Sequence, residues 1–151
     1  MLALNHLITQ LESKINDFET TNLEISKSTV GWQIDHSLRV IIGVISLLKK
    51  SNPDDYKWKF NFPRTIVFFV KRIPRGKANA PKNVQCSDEI LKQDLKNQIE
   101  TSKILILDLE ELHKKSNFKH PYFDVLNLEQ TIKFLNIHTN HHLKIINDIL
   151  K

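Results

Sequence analysis

The chain has 151 residues, 40% of them hydrophobic and 26% charged, which is typical of a soluble globular protein and predicts a single domain over residues 1–151. Three glycines and five prolines are too few for a turn-rich all-β fold, and the single cysteine excludes a disulfide within the chain. No secretory signal is recognisable and no run reaches the roughly 18 apolar residues of a membrane span, so we expect a cytoplasmic protein with no membrane partner.

The positive charge is concentrated in one region. The formal net charge is +5, but residues 49–82 hold ten Lys or Arg and two Asp, a net charge of +8. The rest of the chain is therefore slightly acidic, and the basic character belongs to one segment of the surface.

The first half of the chain predicts two long helices. Apolar residues in 2–18 recur at intervals of three and four, as on an amphipathic helix. A second helix is predicted over residues 30–50, capped by Ser28 or Thr29. Its apolar arc is unusually wide, which indicates a central helix with more than one neighbour.

Residues 51–87 give the least distinct pattern. The stretch RTIVFFVKRI, residues 64–73, is rich in β-branched and aromatic side chains, so propensity alone favours a strand. No partner strand is recognisable elsewhere, and we therefore predict a short helix, followed by a loop in IPRGKANAPKN.

The second half predicts two more long helices. One runs over residues 88–115, capped by Ser87 or Asp88, with acidic residues at its start and Lys114 and Lys115 at its end. After a connection, Asn127 and Gln130 form a capping box that opens a helix to Leu150. Four long helices and a short one in the middle connection predict an all-α fold, a four-helix bundle.

The last helix contains the sequence HTNHH, residues 138–142. At 100° per residue, His138 and His142 lie one turn apart in the middle of its apolar stripe, and His141 lies at the edge. Two imidazoles at this spacing can bind one metal ion, whereas burying both without partners would cost free energy. Core histidines bonded to each other or to carbonyls are the alternative.

A third ligand has to come from another helix, and His36 on the second helix is the candidate. It lies at the margin of the apolar arc, and Gly43 two turns on would permit close approach of a neighbouring helix. Three histidines from two helices, with positions left for water, are typical of a catalytic site for a divalent metal ion, zinc or nickel.

Two stretches resemble the DinB/YfiT-like superfamily of metal-dependent enzymes. STVGWQIDHSLRVI, residues 28–41, is similar to the start of that family's second helix, with a Trp shortly before a His. HPYFDVLNLEQTIKFLNIHTNHHLKII, residues 120–146, is similar to its final connection and helix, with an H-x-x-H-H motif. The two stretches cover about a quarter of the chain, and the helix order agrees across the rest.

The resemblance implies a DinB-like four-helix bundle with a divalent metal held by His36, His138 and His142. It makes His141 a neighbour of the site, and Ile145 stands where many relatives have a Gln. Relatives include thiol-dependent transferases and isomerases. The resemblance therefore implies that the metal activates water or a low-molecular-weight thiol for transfer or hydrolysis of a small-molecule substrate, and it allows for a homodimer.

Other residues outside the proposed metal site could also bind a ligand. The basic segment could bind nucleic acid, but no recognition motif accompanies its charge. It could instead bind an anionic thiol or substrate, with Arg64, Arg72 and Arg75 as the carboxylate-binding residues. Cys86 is interpreted as an ordinary side chain and Asp35 as solvated; His120 is expected to shape the connection, and His6 and His113 carry no site. The alternative function is a non-enzymatic helical binding module whose histidines only pack and whose basic face binds an acidic partner.

Overall fold

The computed structural model describes residues 2–75 and 89–151. Within them the chain is mostly helical, as predicted, with a two-stranded hairpin as the exception to an all-α fold. The helices are α1 (Leu2–Glu12), α2 (Val30–Lys50), α3 (Phe62–Val70), α4 (Lys92–Asp108) and α5 (Leu128–Ile149). The antiparallel strands are β1 (Asn117–His120) and β2 (Asp124–Asn127).

Helices α1, α2, α4 and α5 enclose one hydrophobic core. Both α2 and α1 contact α4 and α5, so α2 is a central helix with two neighbours, as its wide apolar arc predicts. Burial of apolar side chains is the main favourable term in folding, at about 25 cal/mol per Å². The largest fully buried side chains are Leu4, Ile8, Leu11, Ile34, Leu38, Ile41, Ile45, Leu48, Leu95, Ile99, Ile106 and Leu126.

Side-chain caps fix the starts of the two helices that carry the site. The Trp32 backbone N–H donates to Thr29 Oγ1 (3.0 Å), which selects Thr29 of the two predicted caps. At α5 the capping box is present: Gln130 N donates to Asn127 Oδ1 (2.9 Å), and Asn127 N donates to Gln130 Oε1 (3.1 Å). The predicted limits of both helices are confirmed to within a residue.

Two helices are shorter than the apolar spacing predicts. Helix α1 ends at Glu12 and continues as a 3₁₀ turn at Ile15–Asp17, while α4 covers only Lys92–Asp108. Side chains beyond these ends, such as those of Ile15 and Leu109, remain in the core although the backbone has left the helix. Apolar spacing in a sequence indicates which side chains are buried, and it can continue beyond the last residue of a helix. After Asp108 the backbone forms tighter i to i+3 hydrogen bonds, which end the α-helix.

The prediction that Ser87 or Asp88 caps α4 is wrong: the N-cap residue is Leu91, whose side chain accepts no hydrogen bond, because the helix begins only at Lys92. Ser87 and Asp88 lie outside the described residues. Lys114 and Lys115 follow the end of α4 by several residues, so they do not complement its dipole as predicted.

The short helix predicted in the middle connection is confirmed as α3. Asn61 Oδ1 accepts from the Arg64 N–H (2.8 Å) at its start, and Lys71 ends it in a left-handed conformation at φ 52°. The hairpin after α4 was predicted only as a connection, because each of its strands has just four residues and finds its partner in the other. His120 Nδ1 closes the turn by accepting from Tyr122 N and Phe123 N, both at 3.1 Å.

The close backbone approach along α2 occurs at Gly31, and the prediction for Gly43 is wrong. A Cβ on Gly31 would lie 2.8 Å from the Phe18 carbonyl oxygen, which accepts a hydrogen bond from Gly31 N at 2.7 Å. Around Gly43 a Cβ would meet nothing within 4 Å. The start of α2 therefore requires a residue without a side chain at position 31, whereas position 43, in the middle of the helix, has no such requirement.

The same substitution at these two glycines is expected to have opposite effects. Gly31→Ala forces apart backbone atoms in contact and should lower the free energy of unfolding by about 2 kcal/mol. Gly43→Ala, in open space inside a helix, should raise it by about 0.5–1 kcal/mol. Urea unfolding of the two variants beside the wild type measures both changes; a loss of stability in Gly43→Ala would contradict the assignment.

No helix formed by residues 2–75 or 89–151 combines the length and the apolar character needed to cross a bilayer.

Candidate metal centre

Three imidazole rings meet between α2 and α5. His36 comes from α2, and His138 and His142 come from α5, which lies against α2. The ring centroids are 4.5 Å apart for His138 and His142, 4.8 Å for His36 and His142, and 5.2 Å for His36 and His138. One nitrogen from each ring lies within 4.8 Å of the other two. We call these three residues the three-histidine cluster.

The cluster is largely withdrawn from water. His36 and His142 are only 5% and 7% exposed, whereas His138 is half-buried. Burial lowers the pKa of His138 and of His142 well below the usual value, and the neighbouring imidazoles lower each further. Both rings are therefore neutral at neutral pH, the state in which an imidazole nitrogen can bind a metal ion.

Gln33 fixes the ring of His142. Its Oε1 accepts from His142 Nδ1 at 2.6 Å, and its Nε2 donates to Ser26 Oγ at 3.3 Å. The proton of His142 is thereby placed on Nδ1, which leaves the lone pair of Nε2 directed toward the cluster. Sequence analysis missed Gln33, although it lies three residues before His36 on the same face of α2.

Trp32 covers the ring of His36. The two rings are stacked, with centroids 5.0 Å apart and an interplanar angle of 10°. The same indole lies 6.4 Å from the ring of His142. The indole therefore restricts the orientation of His36 and forms an apolar wall of the site.

The donor set and spacing fit a divalent metal ion. His138 Nε2 and His142 Nε2 face each other at 3.2 Å. A tetrahedral zinc ion with bonds of about 2.0–2.1 Å holds neighbouring nitrogens about 3.3 Å apart. The His36 nitrogen lies within 4.8 Å of both. Imidazole nitrogens suit zinc and nickel.

The same contact also supports a metal-free reading. One ring of the facing pair can donate to the other, since a neutral imidazole has one N–H and one lone pair. That bond leaves His138 Nδ1 buried and without a hydrogen-bond partner in the described parts of the chain. A metal ion bound to His138 Nε2 would leave Nδ1 of the same ring unpaired as well. The unpaired Nδ1 is therefore consistent both with a bound metal ion and with a hydrogen bond between the rings.

The other histidines lie outside the cluster. The ring of His141 is half-buried, 5.1 Å from that of His142, and it hydrogen-bonds to the backbone of Ile73. His6 and His113 are exposed. His120 shapes the hairpin turn, as expected, and burial against Phe123 and Phe134 lowers its pKa to about 4.

Two charged residues have different roles from those predicted. Asp35 is buried, not solvated: it accepts from Arg39 Nε and from Gln98 Nε2, both at 2.6 Å, which joins α2 to α4. Arg64 is also buried, and its guanidinium donates to the backbone carbonyls of Lys59, Phe123 and Val125. Its donors hold α3 on the hairpin and do not face a ligand.

The other two arginines proposed as carboxylate binders lie near the cluster. Arg72 and Arg75 line a cleft against α5 that also includes His141. Cys86 lies outside the described residues.

Comparison with models of protein families, with curated protein sequences and with solved structures gave no significant match. The resemblance to the DinB/YfiT-like superfamily is therefore carried by the two motifs, residues 28–41 and 120–146, alone.

Proposed function

We propose that this chain is a metal-dependent enzyme whose His36, His138 and His142 hold one divalent ion, zinc or nickel. The observation that carries the proposal is the approach of three imidazoles from two helices, with one nitrogen of each within 4.8 Å of the others. A ring that only packs needs no such convergence, because a carbonyl or hydroxyl can satisfy it singly.

The arrangement of the helices is in keeping with a DinB-like four-helix bundle. Helices α1, α2, α4 and α5 surround one core, and α3 lies in the middle connection, as the resemblance implies. In this arrangement the proposed ligands come from α2 and α5, the second and the last helix of the chain.

The surroundings suit catalysis better than a structural site. Three protein ligands leave a coordination position for water or substrate, whereas structural zinc sites use four. When bound, the ion lowers the pKa of water or of a thiol and so provides a nucleophile at neutral pH. Within the chain, Gln33 holds the tautomer of His142, Trp32 excludes water from one side, and His138 is the ligand that remains partly exposed.

We propose transfer or hydrolysis of a small molecule as the reaction, with a low-molecular-weight thiol as one possible nucleophile. The experiment uses the full-length chain after removal of metal by a chelator and dialysis against zinc, nickel or cobalt. We expect one ion per chain by elemental analysis. Addition of dithiothreitol to the cobalt form should produce an intense near-ultraviolet thiolate-to-cobalt band, because an open position accepts the thiol.

A second candidate is the non-enzymatic module, and an exposed apolar face favours it. Phe62 and Phe69 on the outer face of α3 are 64% and 86% exposed, and Trp58 and Phe60 beside them are also exposed. Lys57 and Lys59 alternate with these aromatic residues, which suits an acidic partner. A preparation that folds normally but binds no divalent ion at micromolar concentration would favour this candidate and overturn the first.

A further inference from the structure

A cleft of about 560 Å³ lies between the segment that follows α3 and one face of α5. Residues 70–75 form one wall, and residues from Ile137 to Asp148 on α5 form the other. Its volume falls within the range of roughly 300–1,000 Å³ that small-molecule sites occupy. We call it the basic cleft.

The charge of the basic cleft is strongly positive. Lys71, Arg72, Arg75 and Lys144 line it, against the single carboxylate of Asp148. That carboxylate accepts from Lys151 Nζ (2.8 Å) and from Arg75 (2.7 Å), and these two bonds lower its pKa. Asp148 is therefore ionised and already paired.

The two arginines of the basic cleft differ in freedom. Arg75 is oriented by its ion pair with Asp148. Arg72 is exposed, and among residues 2–75 and 89–151 no acceptor is bonded to its guanidinium, which carries five N–H donors for an oxyanion in the cleft. A planar guanidinium matches the two oxygens of a carboxylate or phosphate group, so this pair provides one fixed and one adaptable donor.

The basic cleft adjoins the three-histidine cluster. His141 lies between them: its side chain hydrogen-bonds to the backbone of Ile73 on the cleft wall, and its ring is 5.1 Å from the ring of His142. The basic cleft and the three-histidine cluster are thus connected through His141, which lines the first and contacts a member of the second.

We propose that the basic cleft binds the carboxylate or phosphate group of the substrate and directs the rest of the molecule toward the three-histidine cluster. The direction toward the ion rests on the proposed function, whereas anion binding by the cleft does not. The substrate class is accordingly a small organic anion. Arg72 is the residue that contacts its oxyanion, and Asp148 is a positioning residue that acts through Arg75.

The test is a titration of the full-length, isotopically labelled chain, metal-free and zinc-loaded, followed by nuclear magnetic resonance. The probes are inorganic phosphate and succinate, with sodium chloride at equal ionic strength as the reference. We expect the backbone amide resonances of residues 71–73, 75 and 140–148 to shift with phosphate or succinate in both forms. Arg72→Gln should weaken binding at least tenfold, because it removes a charge-assisted pair of hydrogen bonds.

The matched control is Lys119→Gln, which removes one positive charge from an exposed position on β1. It should change the dissociation constant less than twofold. An equal loss in both variants would show diffuse charge attraction and overturn the proposed anion site. Shifts seen only in the zinc-loaded form would assign the anion to the ion itself, with the same consequence.

The outcomes also separate the two proposals. A chain that binds phosphate or succinate in the cleft but binds no metal retains the anion site and loses the proposed function. A chain that binds one zinc ion but shows no anion-dependent shifts in residues 71–75 retains the metal centre and loses the basic cleft as a site.

Discussion

His142→Ala is expected to lower the affinity of the chain for zinc at least 100-fold. The substitution removes one of three proposed ligands, the one whose tautomer Gln33 fixes. Two imidazoles from different helices, His36 and His138, then remain, which is one ligand fewer than the proposed site needs. Competition with a chromophoric chelator measures the affinity, and His138→Ala should show a loss of similar size.

The thermal stability of the variant provides an independent measure. A ligand that binds only the folded state stabilises it by about 2.7 kcal/mol at 100 times its dissociation constant. Zinc should therefore raise the unfolding temperature of the wild type and leave that of His142→Ala unchanged. This comparison does not depend on the stability of the metal-free variant, because each protein is its own reference.

The matched control is His6→Ala, since His6 lies exposed on α1 and bonds only to Gln10 among the described contacts. Its zinc affinity should equal that of the wild type. If His142→Ala and His138→Ala both retain wild-type zinc content, the ligand assignment is wrong. If His6→Ala loses zinc as well, the binding is not specific to the three-histidine cluster.

The elements that carry the candidate site were predictable because their signals are local. The capping box at Asn127 and Gln130 and the apolar stripe of α5 define that helix within the helix itself. The four-residue spacing of His138 and His142 fixes their relation to each other in the same way. The short helix α3 was predicted by elimination, because 64–73 has no partner strand.

The interactions that were missed join residues distant in sequence. Gln33 meets His142 only because α5 lies against α2 at one particular rotation, which no helix periodicity specifies. Asp35 is bonded to Gln98, which lies 63 residues away on α4. It was predicted to be solvated because the prediction used only its position on α2. Arg64 was predicted to bind a ligand, because the sequence does not reveal which backbone carbonyls will accept hydrogen bonds from its guanidinium.

Gln33→Leu is expected to weaken zinc binding 10- to 100-fold, the effect of removing a hydrogen-bond partner of a metal-ligating histidine. Leucine fills nearly the same volume but cannot accept from His142 Nδ1. The ring can then carry its proton on Nε2, where it blocks the lone pair. Gln33→Glu keeps an acceptor at the same place and should retain zinc affinity within about tenfold of the wild type.

A double-mutant cycle separates this positioning role from a general effect on folding. If Gln33 acts through His142, Gln33→Leu should change the residual zinc affinity of His142→Ala very little, because the ring that it orients is absent. Equal losses in the two backgrounds would assign Gln33 to the packing of α2 against α5. The pair Gln33 and His142 thus tests whether the amide on the second helix serves the metal centre or only the interface between the helices.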